Sequence, residues 1–186
     1  MKNPASDIDS ERLILRALTP HEFQLLEIDT RSPEVWENKD FNDTLKHLEN
    51  RPSPLVHRIP RVAKDPEFAP FALRLAIDKE SKTIIGSAGF HTMPTDEGMI
   101  EIGIGIEEPY RNKGYATEVL LAMWKWIISD PHVKTLRYTV SPDNEPSIAI
   151  IKKFDFTKVG VQIDDEDGPE DIYEMSSEEF KRRFID

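Results

Sequence analysis

A chain of 186 residues carries 24 lysines and arginines against 35 aspartates and glutamates, a formal net charge of −11, and no cysteine. That length suits one domain with a sizeable core, and the missing cysteine excludes disulfides, thiolate metal sites and a cysteine nucleophile. The negative balance argues against a general nucleic-acid binder, whose phosphate contacts need a positive face, and no apolar run reaches the length of a membrane span.

An acidic surface favours a cationic partner such as an amine or a basic peptide, although plain solubility is the simpler explanation of it. The N-terminus, MKNPASDIDSERL, has no apolar h-region and does not read as a secretory signal, so a cytoplasmic location is expected.

In chain order, Met1–Ser10 reads as a loose polar leader and residues 11–186 as one domain. Leu13, Ile14 and Leu15 form a short apolar strand. Thr19-Pro20 then starts a helix, with Thr as N-cap and Pro at the first helical position, and Phe23 and Leu26 follow at helical spacing. Another helix is expected near Phe41–Glu49. From Asn50 to Pro70 the prolines at 52, 54, 60, 66 and 70 break up strands and helix interiors, so the segment reads as an irregular insertion with room for a short helix.

Strands are predicted over Phe71–Ile77, Thr83–Phe90 and Met99–Ile106, joined by turns at Lys79–Lys82 and Pro94–Gly98. In the third, Ile100, Ile102, Ile104 and Ile106 alternate with Glu101, Gly103 and Gly105. Two glycines on one face of a strand are unfavourable unless something approaches closely there or the strand bulges. The following helix has Val119, Leu120, Met123, Trp124 and Ile127 on a core-facing stripe, with Trp126 also read as packing, and ends by Asp130-Pro131. Beyond it come a strand Thr135–Val140, a turn Ser141–Asn144, a helix Pro146–Phe154, a strand Phe156–Ile163, an acidic solvated turn Asp164–Asp171, a strand Asp171–Met175 and a helical tail from Ser177. The chain contains neither internal repeats nor low-complexity tracts.

The third strand runs into Arg-x-x-Gly-x-Ala, with Arg111, Gly114 and Ala116 at the mouth of the helix. Gly114 lacks a Cβ, so the chain can turn tightly there, and the first amides of the helix have no intrahelical acceptor. Together with the helix dipole and the donor fork of Arg111 they make an anion site. Plain turn punctuation is the alternative reading of Gly114. Neither GxGxxG nor G-x-S-x-G occurs, which disfavours a Rossmann site and a serine-hydrolase triad. The five histidines do not pair at metal-ligand spacing, and only His91, just past a central strand, is placed to line a site.

YRNKGYATEVL resembles the acetyl-CoA pyrophosphate loop of the GNAT superfamily of N-acetyltransferases, [R/Q]-x-x-G-x-[G/A]. ERLILRALTPHEF, TIIGSAGFH and SPDNEPSIAIIKKFDF resemble further family segments in the right order, so the likeness runs from Glu11 to Met175. It is similar in particular to the ribosomal-protein-alanine acetyltransferase branch.

The resemblance implies an α/β (α+β) fold: a central twisted mixed sheet flanked by helices, with a V-shaped splay between central strands. It implies acetyl-CoA as cosubstrate, no metal, and transfer to a primary amine of a small molecule or protein N-terminus by direct attack in a ternary complex. Cofactor contacts fall on Ile104, Gly105, Ile106, Arg111, Asn112, Lys113, Gly114, Tyr115, Ala116 and Asn144, with a pantetheine arm passing Gly103 and Gly105. Glu101 matches the base and Ser147 the acid of the family. Glu107 and Glu108 rank next as base, and Tyr138 and Tyr173 as acid. Lys152 or Lys153 could meet the CoA 3′-phosphate, and Asn50–Pro70 would overhang the acceptor.

Asp155 replaces the glycine that usually ends the helix after Ser147 in a left-handed conformation, a substitution Asp tolerates with modest strain. A non-catalytic acyl-CoA-binding module on the same fold is the alternative. The acceptor stays open, as do monomer and homodimer, and neither nucleic acid nor membrane is expected as a partner.

Overall fold

A computed structural model describes residues 3–164 and 168–185. An eight-stranded sheet runs β1-β2-β3-β4-β5-β6-β8-β7. Its strands are β1 (Ile8–Asp9), β2 (Leu13–Ala17), β3 (Arg74–Asp78), β4 (Ile84–Phe90), β5 (Met99–Ile106), β6 (Thr135–Val140), β7 (Thr157–Asp164) and β8 (Gly168–Ser176). The helices are α1 (Pro20–Ile28), α2 (Pro33–Trp36), α3 (His47–Asn50), α4 (Ser53–Lys64), α5 (Ala69–Ala72), α6 (Tyr115–Ile127), α7 (Glu145–Lys153) and α8 (Ser177–Phe184). Among the described residues no helix is long and apolar enough to cross a membrane.

Every neighbouring pair of strands is antiparallel except β5–β6. That parallel pair joins only at Met99↔Thr135, Ile100↔Leu136 and Glu101↔Arg137. Beyond Glu101 the two strands part, which is the expected V-shaped splay.

Alternation along β4 and β5 sorts their side chains onto two faces. Ala88, Phe90, Ile100, Ile102 and Ile106 are buried, as are Val119, Leu120, Met123, Trp124 and Ile127 of α6. Phe90 stacks on Trp126, with ring centroids 6.2 Å apart. The opposite face presents Ser87, Gly89, Glu101, Gly103 and Gly105, and α3 crosses it with His47 bonded to Ser87. The β4–β5 register is uninterrupted, so the glycines of β5 mark no bulge.

Several local expectations hold. Thr19 caps α1 in a reciprocal capping box with Glu22. β5 and β6 keep their expected bounds, and the tail from Ser177 is helical. Asp155 takes the left-handed conformation, φ 59°, and its carboxylate accepts from Arg183 at 2.5 Å.

Several expectations need correction, among them the acidic turn placed at Asp164–Asp171, since β8 already begins at Gly168. The strand placed at Phe71–Ile77 begins only at Arg74, because Pro70 opens the short helix α5. The helix expected near Phe41–Glu49 shrinks to His47–Asn50: the backbone of Asn42 pairs with Lys82 and Ile84, and Lys46 is left-handed at φ 52°. Asn50–Pro70 is not irregular, since α4 spans twelve residues of it. Pro54 sits in the first turn of α4, where its missing N–H is harmless, and Pro60 lies on the exposed side.

Lastly, residues 3–10 of the expected leader are tied down. Ile8–Asp9 pairs with β2, and the fully buried Arg74 donates to the carbonyls of Ser6 and Leu15. Met1 and Lys2 lie outside the described residues, as do 165–167 of the expected acidic turn.

Candidate active site

Where β5 and β6 part, a cleft of about 840 Å³ opens between the end of β5, the turn before α6 and one side of α7. Ile104, Gly105 and Ile106 line it from the strand. Arg111, Asn112, Gly114, Tyr115 and Ala116 line it from the turn, and Asn144 and Ser147 from α7. The structure thus brings together every expected cofactor contact except Lys113. The Lys113 carbonyl instead accepts from Arg12, and its ammonium lies 5.4 Å from the Tyr110 ring centroid. Lys153 lines the cleft and Lys152 does not.

The turn folds this way because Asn112 (φ 60°) and Gly114 (φ 81°) are both left-handed, which reverses the chain within a few residues. No side chain caps α6, and its first backbone bond runs from Glu118 N–H to Gly114 O. The amides of Tyr115, Ala116 and Thr117 therefore lack an intrahelical acceptor at the cleft wall. By contrast α1, α7 and α8 are each capped by a side chain. The Arg111 Nε donates to Ile106 O at 3.0 Å, which holds that exposed side chain along the cleft.

Arg12 supports the turn from behind and was missed in the sequence. Its Nη1 donates to Lys113 O at 3.0 Å and its Nε to Glu118 at 2.7 Å, and its guanidinium lies 4.1 Å from the Tyr115 ring centroid. No local signal marks it, since these partners lie about a hundred residues away along the chain.

Glu101 stands where the strands part but outside the cleft, on the glycine face. Its carboxylate accepts from Thr139 Oγ1 at 2.5 Å and lies 3.3 Å from His91 Nδ1. Burial pushes the Glu101 pKa up, yet hydrogen bonds from His91 and Thr139 and the charges of His91 and Arg137 outweigh it, so the net shift is downward. The room over the glycines is bounded on this face. A Cβ on Gly103 would stand 3.0 Å from His91 Nε2, and one on Gly105 would stand 3.3 Å from Arg51 Nη1.

Ser147 lies in the first turn of α7, where its N–H donates to the Asn144 side chain at 3.2 Å. Asn144 is therefore both helix cap and cleft wall. The Ser147 hydroxyl shares a hydrogen bond with that of Tyr138, whose pKa burial raises. Tyr173, also buried, pairs with Tyr138 across β6–β8 and is not on the cleft wall.

Glu107 and Glu108 follow the far end of β5, six or more residues beyond Glu101, about 20 Å along an extended strand. They adjoin the turn before α6, not the parting of the strands. Glu107 accepts from His47 Nδ1 at 2.5 Å, and the same carboxylate oxygen lies 3.4 Å from Arg51 Nε. His47 Nε2 in turn meets Ser87 Oγ at 2.8 Å.

This Ser–His–Glu chain has the order of a hydrolytic relay, but His47 is 0% and Ser87 3% exposed, and neither lines the cleft. It fastens α3 to β4 instead. Burial lowers the His47 pKa against the pull of Glu107. A neutral ring with Nδ1–H to Glu107 and Nε2 accepting from Ser87 satisfies both contacts.

The sequence profile of the acetyltransferase (GNAT) domain matches residues 12–157. An uncharacterised N-acetyltransferase of Bacillus licheniformis, p20, is 26% identical over 152 residues, 82% of this chain and 83% of that protein. The crystal structure of a ribosomal-protein-S5-alanine acetyltransferase from Vibrio fischeri superposes with a TM-score of 0.62 at 14% identity, over 95% of this chain and 99% of that one. A ribosomal L7/L12 α-N-protein acetyltransferase in complex with coenzyme A gives 0.61 at 15% identity, over 92% and 98%. The chain belongs to the GNAT acetyltransferase family and is an N-acetyltransferase, an enzyme that takes its acetyl group from acetyl-CoA.

Proposed function

We propose that the enzyme acetylates a primary amine by direct attack within a ternary complex. In this reading the coenzyme diphosphate rests on the turn from Arg111 to Ala116, and the amine arrives from the glycine face. Acetyl-CoA supplies a thioester already activated for acyl transfer. Glu101, ionised at neutral pH, takes the ammonium proton through water so that the nitrogen can attack. The N–C bond forms as the C–S bond breaks. Ser147, hydrogen-bonded to Tyr138, gives a proton to the departing thiolate, and its hydroxyl is restored by the second proton that the acetylated nitrogen sheds through water.

The observation that carries this reading is the uncapped start of α6 on the wall of the same cleft as the Ser147 hydroxyl, with the Glu101 carboxylate where the strands part. Exposed first-turn amides at the positive end of a helix dipole suit a diphosphate.

Free-thiol release from acetyl-CoA across a panel of amines tests it. Release should depend on the amine, and Glu101→Gln should lower kcat by about 10²–10⁴ while acetyl-CoA still binds. A binding-only module would bind acetyl-CoA and release no thiol with any amine.

A further inference from the structure

The chain as a whole is acidic, yet α4, SPLVHRIPRVAK, holds Arg58, Arg61 and Lys64 and no acidic residue. Two of these arginines reach the end of β4 that adjoins Glu101. Arg61 donates to His91 O, and the His91 ring in turn faces the Glu101 carboxylate. Arg58 Nε donates to Ala72 O at 3.1 Å, and a Cβ on Gly89 would meet that same carbonyl at 1.9 Å. Gly89 pairs with Gly103, two residues along β5 from Glu101 on the same face. The diagonal cross-strand spacing puts the Arg58 head within about 13 Å of the Glu101 position.

Arg58 is only 9% exposed. Among the described residues it makes no ion pair and no hydrogen bond besides that from Nε, and its η nitrogens are not among the sealed, unpartnered atoms. Burial and the neighbouring Arg61 charge disfavour this guanidinium, and the Glu101 charge offsets them only in part, without an ion pair; its planar fork matches a carboxylate.

We infer that the acceptor is a small amine that also bears a carboxylate, which Arg58 receives while Glu101 faces the amino group. This rests on the acceptor reading of the glycine face given above. It reverses for the acceptor what the net charge alone suggests. A polyamine would meet the cations of α4, whereas an amino acid presents an anion to Arg58 and an ammonium to Glu101.

The test compares free amino acids with their carboxamides, and with spermidine, as acceptors in the thiol-release assay. Both forms are also titrated calorimetrically into the CoA-saturated enzyme. The free acids should be preferred by about 10- to 100-fold, the worth of one charge-assisted hydrogen bond. Arg58→Gln should bring the ratio of acid to amide close to one, and Arg58→Lys should keep part of it. Amides used or bound as well as acids by the unaltered enzyme, or spermidine preferred, would overturn the inference without any variant being needed. Absence of thiol release with every amine defeats the acetyl-transfer reading instead, and the calorimetric preference then decides the role of Arg58 separately.

Discussion

Thr139 Oγ1 on β6 donates to the Glu101 carboxylate on β5 at 2.5 Å, just past the last backbone pairing of the two strands. A side-chain bond thus bridges the parallel pair at the point where it opens. It also favours the ionised carboxylate, adding to the larger effect of the His91 hydrogen bond in lowering the Glu101 pKa.

That relationship sets the pH profile. Because the Glu101 pKa is lowered, the residue is ionised across the neutral range and contributes no inflection there. From about pH 6 up to the pKa of the acceptor amine, kcat/KM should therefore be level, because the ammonium is the form that Glu101 deprotonates, and it should fall above that pKa. Thr139→Val removes a donor to the charged form and raises the Glu101 pKa. The acid limb should then move toward neutrality, while the alkaline behaviour stays set by the amine. Initial rates against pH for the two proteins check this.

Gly114 should not accept a side chain. At φ 81° an L residue is strained by about 1–2 kcal/mol, and a large side chain would fill the mouth of the cleft. The nearest atom to an added Cβ is Arg12 Nη2 at 3.5 Å, an ordinary contact, so the fold should survive. Gly114→Trp is therefore expected to weaken acetyl-CoA binding more than about tenfold by calorimetry with a near-normal circular dichroism spectrum.

The two hydroxyls that share a hydrogen bond, Ser147 and Tyr138, separate by kinetics. Ser147→Ala should lower kcat by about a hundredfold or more with the KM for acetyl-CoA little changed, and Tyr138→Phe should lower it less. The reverse order would transfer the acid role to Tyr138.

His47 makes stability pH-dependent. Its pKa is lowered in the folded protein, so the unfolded chain takes up a proton near pH 6.5 that the native state does not. The stabilisation is complete above that pH and declines as pH falls through it, by up to about 1.4 kcal/mol per pH unit. Thermal unfolding between about pH 7.5 and 5.5, about one unit either side of the unfolded pKa, should show this slope. His47→Gln should reduce it.

Much of this was legible locally. The period-two pattern set the bounds of β5, and the backbone demands of a tight turn marked Gly114. Asp155 announced itself as a stand-in for glycine. The residues missed act through distant partners: Arg12 meets Lys113 and Glu118, His47 meets Ser87 and Glu107, and Arg58 reaches Ala72. No sequence period reports such pairs. With α4 the signal was present and misread. Leu55, Ile59 and Val62 recur at i, i+4 and i+7, but prolines every few residues masked a helix that tolerates one in its first turn and another on its wet side.

A crystal structure of the enzyme with coenzyme A tests the central claim most directly. The account predicts diphosphate oxygens about 3 Å from the amides that open α6, with the Arg111 side chain alongside. A diphosphate bound elsewhere, or those amides met by a side chain of the protein itself, would contradict it.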